Sequence, residues 1–165
     1  MNKDQIETLV TWLKDAYAME QGIAEVLERQ VGQMDDMPEA QEKMQEHLEL
    51  TKTHAEQIKQ CVERLGEDVS RVKSGIASVL GAVQGMSTVM AKDKMLKNAM
   101  ANYAIEYFEI ACYLANAEAA RMLGYDDIAE VCESIIEEEQ EMADWLEEQI
   151  AFVARHELNE AVESE

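Results

Sequence analysis

A single proline, Pro38, and the glycines at 32, 66 and 124 punctuate this chain, and between them lie four long stretches with apolar residues at helical spacing. The first helix is expected from Lys3 to Val31, with Asn2 as cap, Gln5 as its capping-box partner and Gly32 as the stop. A second starts near Pro38, behind Asp35 and Asp36, and stops at Gly66. A third starts near Lys92 and ends at Gly124. The fourth begins at Asp126 or Asp127, with Glu130 completing a capping box, and runs to about Arg155. Each would span on the order of 40 Å.

The connections between these stretches set the topology. The first and third links are short, which makes their helices antiparallel neighbours. The middle link, residues 67–91, is long enough to cross the bundle and carries a short helix of its own, "GIASVLGAVQGMSTVMA". Two antiparallel hairpins joined by one long crossover define an all-α, ferritin-like antiparallel four-helix bundle. The bundle domain is read as residues 1–155, and residues 156–165, "HELNEAVESE", as an acidic C-terminal tail.

Composition agrees with an all-helical chain. It is 47% hydrophobic with 5% aromatics, and no stretch alternates with a strand period. The formal net charge of −21 argues against nucleic acid or an anionic membrane surface as a partner. No basic segment precedes an apolar one as in a signal peptide, and residues 75–91, though uncharged, are too short and polar to span a bilayer. Cys61, Cys112 and Cys132 lie within apolar helical patterns without metal-type spacing, and they read as reduced core thiols of a cytoplasmic protein.

The inward seams carry the chemical signal. Stepping by three and four gives Leu13, Ala16, Glu20, Ile23 on the first helix and Thr51, His54, Ile58 on the second. The third gives Tyr103, Glu106, Ile110, and the fourth Ile135, Glu139, Met142. Each seam is apolar except near its middle, where a carboxylate or histidine stands. Glu106 and Glu109 are the only charges between Lys97 and Glu118, in a segment apolar on every side, so they are expected to be buried.

Glu20, Glu106, Glu109 and Glu139, with Glu138 adjacent, would crowd carboxylates around one point, and like charges that close need a cation between them. One or two divalent ions, with His54 as a nitrogen ligand, meet that need. An oxygen-rich site with imidazole suits iron or manganese. Such a centre could meet peroxide or dioxygen, and the residues leave open whether the protein is an enzyme. Tyr17, Tyr103 or Tyr107 are expected to order the ligands. His47, two turns lower on the second seam, is expected to make a structural hydrogen bond. The alternative is a metal-free structural or interaction dimer that has lost this chemistry, its core carboxylates protonated or paired with His54.

Four pieces, "WLKDAYAMEQ", "EHLELTK", "EYFEIACY" and "EEEQEMADWL", appear in order along most of the chain. In them the sequence resembles the YciE/YciF-type ferritin-like family of bacterial stress-associated proteins, nearest to its YciE branch. The resemblance implies a rubrerythrin-like bundle, commonly a homodimer, with a dinuclear metal centre, and Glu20, Glu106, Glu109, Glu138 and Glu139 match acidic positions of its pattern. The second helix departs from that pattern. Leu50 stands where relatives carry a carboxylate, and His54 where they often carry glutamine. The Glu-x-x-His pairs of ferritin-like metal proteins are replaced by Thr51-x-x-His54 and Glu139-x-x-Met142, which leaves a second metal short of its usual ligands. Small residues at Ala77, Gly81 and Gly85 of the crossover are the candidate dimer contact.

Overall fold

A computed structural model describes residues 3–34, 37–70, 81 and 94–163, with side chains through residue 159. Its four helices are α1 (Lys3–Val31), α2 (Pro38–Arg64), α3 (Lys94–Met122) and α4 (Asp126–Glu163). No strand occurs among the described residues. The chain is an all-α four-helix bundle, as the four apolar seams imply. The Asn2 cap, Asp35 and Asp36, and the short crossover helix apart from Gly81 fall outside the described residues.

α1 packs along α2 and α3 along α4. Lesser contacts of α1 with α3 and of α2 with α4 close the square, leaving α1 opposite α4 and α2 opposite α3. Pro38 opens α2 in the first turn, where its missing N–H costs nothing. Gly66 and Gly124 close α2 and α3 at φ +82° and +75°, a left-handed conformation that glycine adopts freely. At both ends the next residue's N–H reaches back to satisfy a helix carbonyl, Glu67 to Val62 at 3.2 Å and Tyr125 to Ala120 at 2.9 Å. An Arg64–Asp127 ion pair ties the end of α2 to the start of α4.

The last helix differs from the sequence reading. It continues past Arg155 to Glu163, through most of the stretch read as a tail. Residues 156–163 contain no glycine or proline, so nothing in the backbone ends the helix at Arg155.

Leu13, Ile58, Val62, Ala120 and Cys132 pack one half of the core, and Ile23, Leu27, Met44 and Leu146 the other. Between them lies a buried polar layer: Glu20, His47, Thr51, His54, Glu106, Glu109 and Glu139. A core with this interruption is unusual, because buried ionisable groups persist only when paired, protonated or bound to metal.

Candidate metal centre

Every helix contributes to the layer. Glu20 comes from α1, His47 and His54 from α2, Glu106 and Glu109 from α3, and Glu139 from α4, and each of the six is at most 2% exposed. The two α2 histidines are seven residues apart, two helical turns on one face. Glu106 and Glu109 share the inward face of α3 at a spacing of three.

Two groups of possible ligand atoms result. Glu20, His54 and Glu139 form one, and His47, Glu106 and Glu139 the other, with the atoms of each group within 4.8 Å of one another. Glu139 belongs to both. In the first group His54 Nδ1 lies 2.9 Å from Glu139 Oε1 and 3.9 Å from Glu20 Oε1. In the second, His47 Nε2 lies 3.2 Å from Glu106 Oε1.

These approaches are close but poorly aligned for hydrogen bonding. Glu20 Oε2, His47 Nε2, His54 Nδ1, Glu106 Oε2, and both oxygens of Glu109 and of Glu139 make no aligned hydrogen bond. Only Gln57 and Asn116 hold other buried side-chain atoms in that condition among the described residues. Unpartnered buried polar atoms are rare in folded proteins, so their concentration in one layer calls for an explanation there. Carboxylate oxygens and imidazole nitrogens converging on common points suit a metal cation.

The ionisation of the metal-free layer follows from burial and crowding. Burial, and then the charge of Glu139, pushes the Glu20 carboxyl up to about 8. The same causes hold Glu106 and Glu109 well above the usual carboxylate range. Burial alone would keep His54 neutral, but Glu139, Glu20 and Glu138 outweigh it and bring the ring up to about 9. Glu139 ends below its ordinary value, because His54 and Glu106 outweigh its burial. Burial lowers His47. Without metal the layer is therefore a His54–Glu139 ion pair surrounded by protonated carboxyls.

Some side chains stand where the sequence pattern did not place them. Glu138 lies outside both groups: its Oε2 meets the other ring nitrogen of His54, Nε2, at 2.6 Å, and its side chain is 39% exposed. It holds the imidazole from the solvent side, leaving Nδ1 to face the core. His47 is not set apart from the site; it forms the second group with Glu106 and Glu139. Tyr113, fully buried, donates its hydroxyl to Glu20 Oε1. Tyr103 and Tyr107 instead stack edge to face with ring centroids 5.0 Å apart. Tyr113 continues the third seam three residues after Ile110, and nothing in that spacing marks it as a partner of Glu20. Thr51 donates its hydroxyl to the His47 carbonyl at 3.0 Å, and Leu50 is 38% exposed, so neither supplies a ligand at those positions.

Fold and layer together define a ferritin-like bundle with a candidate metal-binding core. The chain belongs to the family described as Domain of unknown function (DUF892), which residues 4–159 match. A protein from Xanthomonas campestris pv. campestris has 30% sequence identity and a TM-score of 0.79, covering 95% of this chain and 98% of that one. The Escherichia coli stress protein YciF superposes with a TM-score of 0.80 at 22% identity, over 93% of this chain and 99% of its own. A bacterioferritin with a diiron site, from Desulfovibrio desulfuricans, gives a TM-score of 0.76 at 22% identity, over 94% and 85%. No helix among the described residues is long and apolar enough to cross a membrane.

Proposed function

We propose that this protein binds one or two ions of iron or manganese in its core and serves a stress response in the bacterial cytoplasm. Glu20, His54 and Glu139 would hold one ion, and His47, Glu106 and Glu139 the other, with Glu109 within the same layer. The observation that carries this reading is the gathering, in one buried layer, of carboxylate and imidazole atoms that converge on common points without aligned hydrogen bonds. His47 and Glu106 compensate for the missing Glu-x-x-His partners by supplying a nitrogen and an oxygen from other turns. When bound, the ions supply redox chemistry toward peroxide or dioxygen. Glu138 fixes the His54 tautomer so that Nδ1 faces the core, and Tyr113 orients Glu20. The quoted sequence pieces favour the YciE branch of the family.

A homodimer is part of the proposal. The sequence assigns the contact to residues 75–91, nearly all outside the described residues. Independent support comes from the outer face of α3, where Met100, Tyr107 and Leu114 are 44%, 42% and 57% exposed. Ala104 and Ala111 lie between them. Two copies of a chain this acidic repel unless they meet on an uncharged face such as this one.

The alternative, a metal-free structural or interaction dimer, is favoured by one observation: the His54–Glu139 pair neutralises itself. Elemental analysis decides between them. Protein purified without chelator and offered Fe(II) or Mn(II) should retain up to about two ions per chain, and His47→Ala about one fewer. Wild-type protein without tightly held metal would establish the alternative.

A further inference from the structure

At one end of the bundle a cavity of about 520 Å³ opens among the last turn of α1, the first turns of α2 and α3, and the second half of α4. Its walls are apolar and soft, with Met34, Met37, Met95, Trp145 and Phe152 among them. Its floor differs. Asn102, only 5% exposed, exchanges two hydrogen bonds with Gln30, at 2.8 and 3.2 Å, beside buried Met44 and Leu146.

The floor borders the polar layer. His47 follows Met44 by three residues on α2, and Glu106 follows Asn102 by four on α3. Each step is one helical turn, a rise of roughly 5 Å. The cavity therefore ends next to the His47–Glu106 half of the layer, not at the His54 half.

Its size is informative. A water-sized molecule occupies roughly 30 Å³, so hydrogen peroxide or dioxygen needs a small fraction of this space. Cavities of about 300–1,000 Å³ take organic ligands. Apolar walls, amide groups at the inner end and few charges select an uncharged molecule with an apolar body and a small polar head.

We propose that the cavity binds an uncharged organic hydroperoxide, its alkyl or aryl body against the methionines and Trp145 and its peroxy group at the Asn102 floor. This deepens, and rests on, the reading of the layer as a metal centre. The hydroperoxide is reduced to its alcohol and water, ROOH + 2 e⁻ + 2 H⁺ → ROH + H₂O. The O–O bond would break, with two iron(II) ions held by the layer supplying one electron each as they become iron(III) and solvent supplying the two protons. The Asn102 amide can donate to either peroxy oxygen or accept its hydroxyl proton.

The test has two arms. In the metal-free protein 2-phenyl-2-propanol, the alcohol of cumene hydroperoxide, serves as a redox-inert probe. Trp12, the other tryptophan, lies on the order of 27 Å along α1 from Gln30, and Trp12→Phe removes its background. Saturable change in Trp145 fluorescence is expected, and Ala99→Phe, which fills the cavity from α3, should abolish it. In iron(II)-loaded protein Ala99→Phe should slow iron oxidation by cumene hydroperoxide about tenfold or more, while hydrogen peroxide stays within about twofold. In the iron-oxidation arm alone, Met95→Trp, at a position 39% exposed, repeats the obstruction at lower risk to folding. Absence of a saturable signal overturns the proposal. So does equal slowing of both peroxides, or of neither, by these variants. Failure to retain metal defeats the delivery role, and persistent alcohol binding would then place the fault in the metal-centre reading rather than in the cavity.

Discussion

The Nε2 of His54 lies 2.6 Å from Glu138 Oε2, so a fully buried imidazole is held by a carboxylate that solvent reaches. Because Glu138 occupies Nε2, the ring's remaining nitrogen is directed to Glu139 and Glu20. Glu138→Gln keeps the length of the side chain and removes the charge that favours a proton on Nε2. Metal affinity should fall by about 10–100-fold. Competition with a chelator of known affinity measures it, and an unchanged affinity would mean that Glu138 does not position His54.

Glu109, which belongs to neither ligand group, has two buried carboxylate oxygens without aligned partners in the same layer. Burial and the neighbouring carboxylates favour its protonated form in the metal-free protein, so Glu109→Gln replaces a group pushed toward neutrality by a neutral one. Its unfolding free energy near neutral pH should stay within about 1 kcal/mol of wild type. Metal retention should nevertheless drop. A large loss of stability with metal retention intact would assign Glu109 a structural hydrogen bond instead.

Stability of the metal-free protein should decline as pH rises from 6.5 toward 9. Glu20, Glu106, Glu109 and His54 keep protons in the folded chain that the unfolded chain releases. Their contribution is full below the unfolded values and is lost as pH rises through the folded ones. Glu139 and His47 are shifted down and act oppositely, but their contribution is complete above their unfolded values, 4.5 and 6.5. The slope is about 1.4 kcal/mol per pH unit for each proton held only by the folded state. Denaturant titrations at several pH values, with and without metal, should show the decline without metal and a flatter profile with it. A metal-free protein that gains stability over this range contradicts a crowded carboxylate core.

How much of this could be read in the sequence depended on the residue. Glu106 and Glu109 were legible because α3 is apolar on every side, so any carboxylate there had to be inside. Glu139 was separable from the acidic run around it by the seam alone. One position along a helix is a rotation of about 100°, and that rotation is why Glu138 reaches the outer nitrogen of His54 while Glu139 faces the core. His47 could not be joined to the candidate site from the seams alone, because a seam gives spacing along one helix and not the depth of the layer. The layer has length: His47 and His54 span about 10 Å along α2, and Glu139 lies between their two groups. The end of α4 is not legible in the sequence, because the acidic residues after Arg155 are as compatible with a solvated helix as with a tail.

Tyr113→Phe should destabilise the metal-free protein by about 1–3 kcal/mol, because it leaves the buried Glu20 Oε1 without its donor. Metal binding should weaken without being lost. Thermal melts of both forms check this, and an unchanged melting temperature would mean that the hydroxyl does not support Glu20.

A charge on the outer face of α3 should separate the dimer. Leu114→Glu adds a carboxylate to an exposed apolar position four residues before Glu118. Light scattering at micromolar concentration should then report a monomer where wild type is a dimer. A monomeric wild type, or a variant that still dimerises, removes α3 from the interface.

The His54–Glu139 pair has a consequence for the order of events in the life of the chain. With that pair formed and the neighbouring carboxyls protonated, the core balances its charge using nothing but water-derived protons. A newly made molecule can thus complete its bundle during metal scarcity and wait in a folded state. The ions then arrive by exchange against protons, so acidity and metal supply compete for the same interior, and acidification should return the protein to its waiting form without unfolding it.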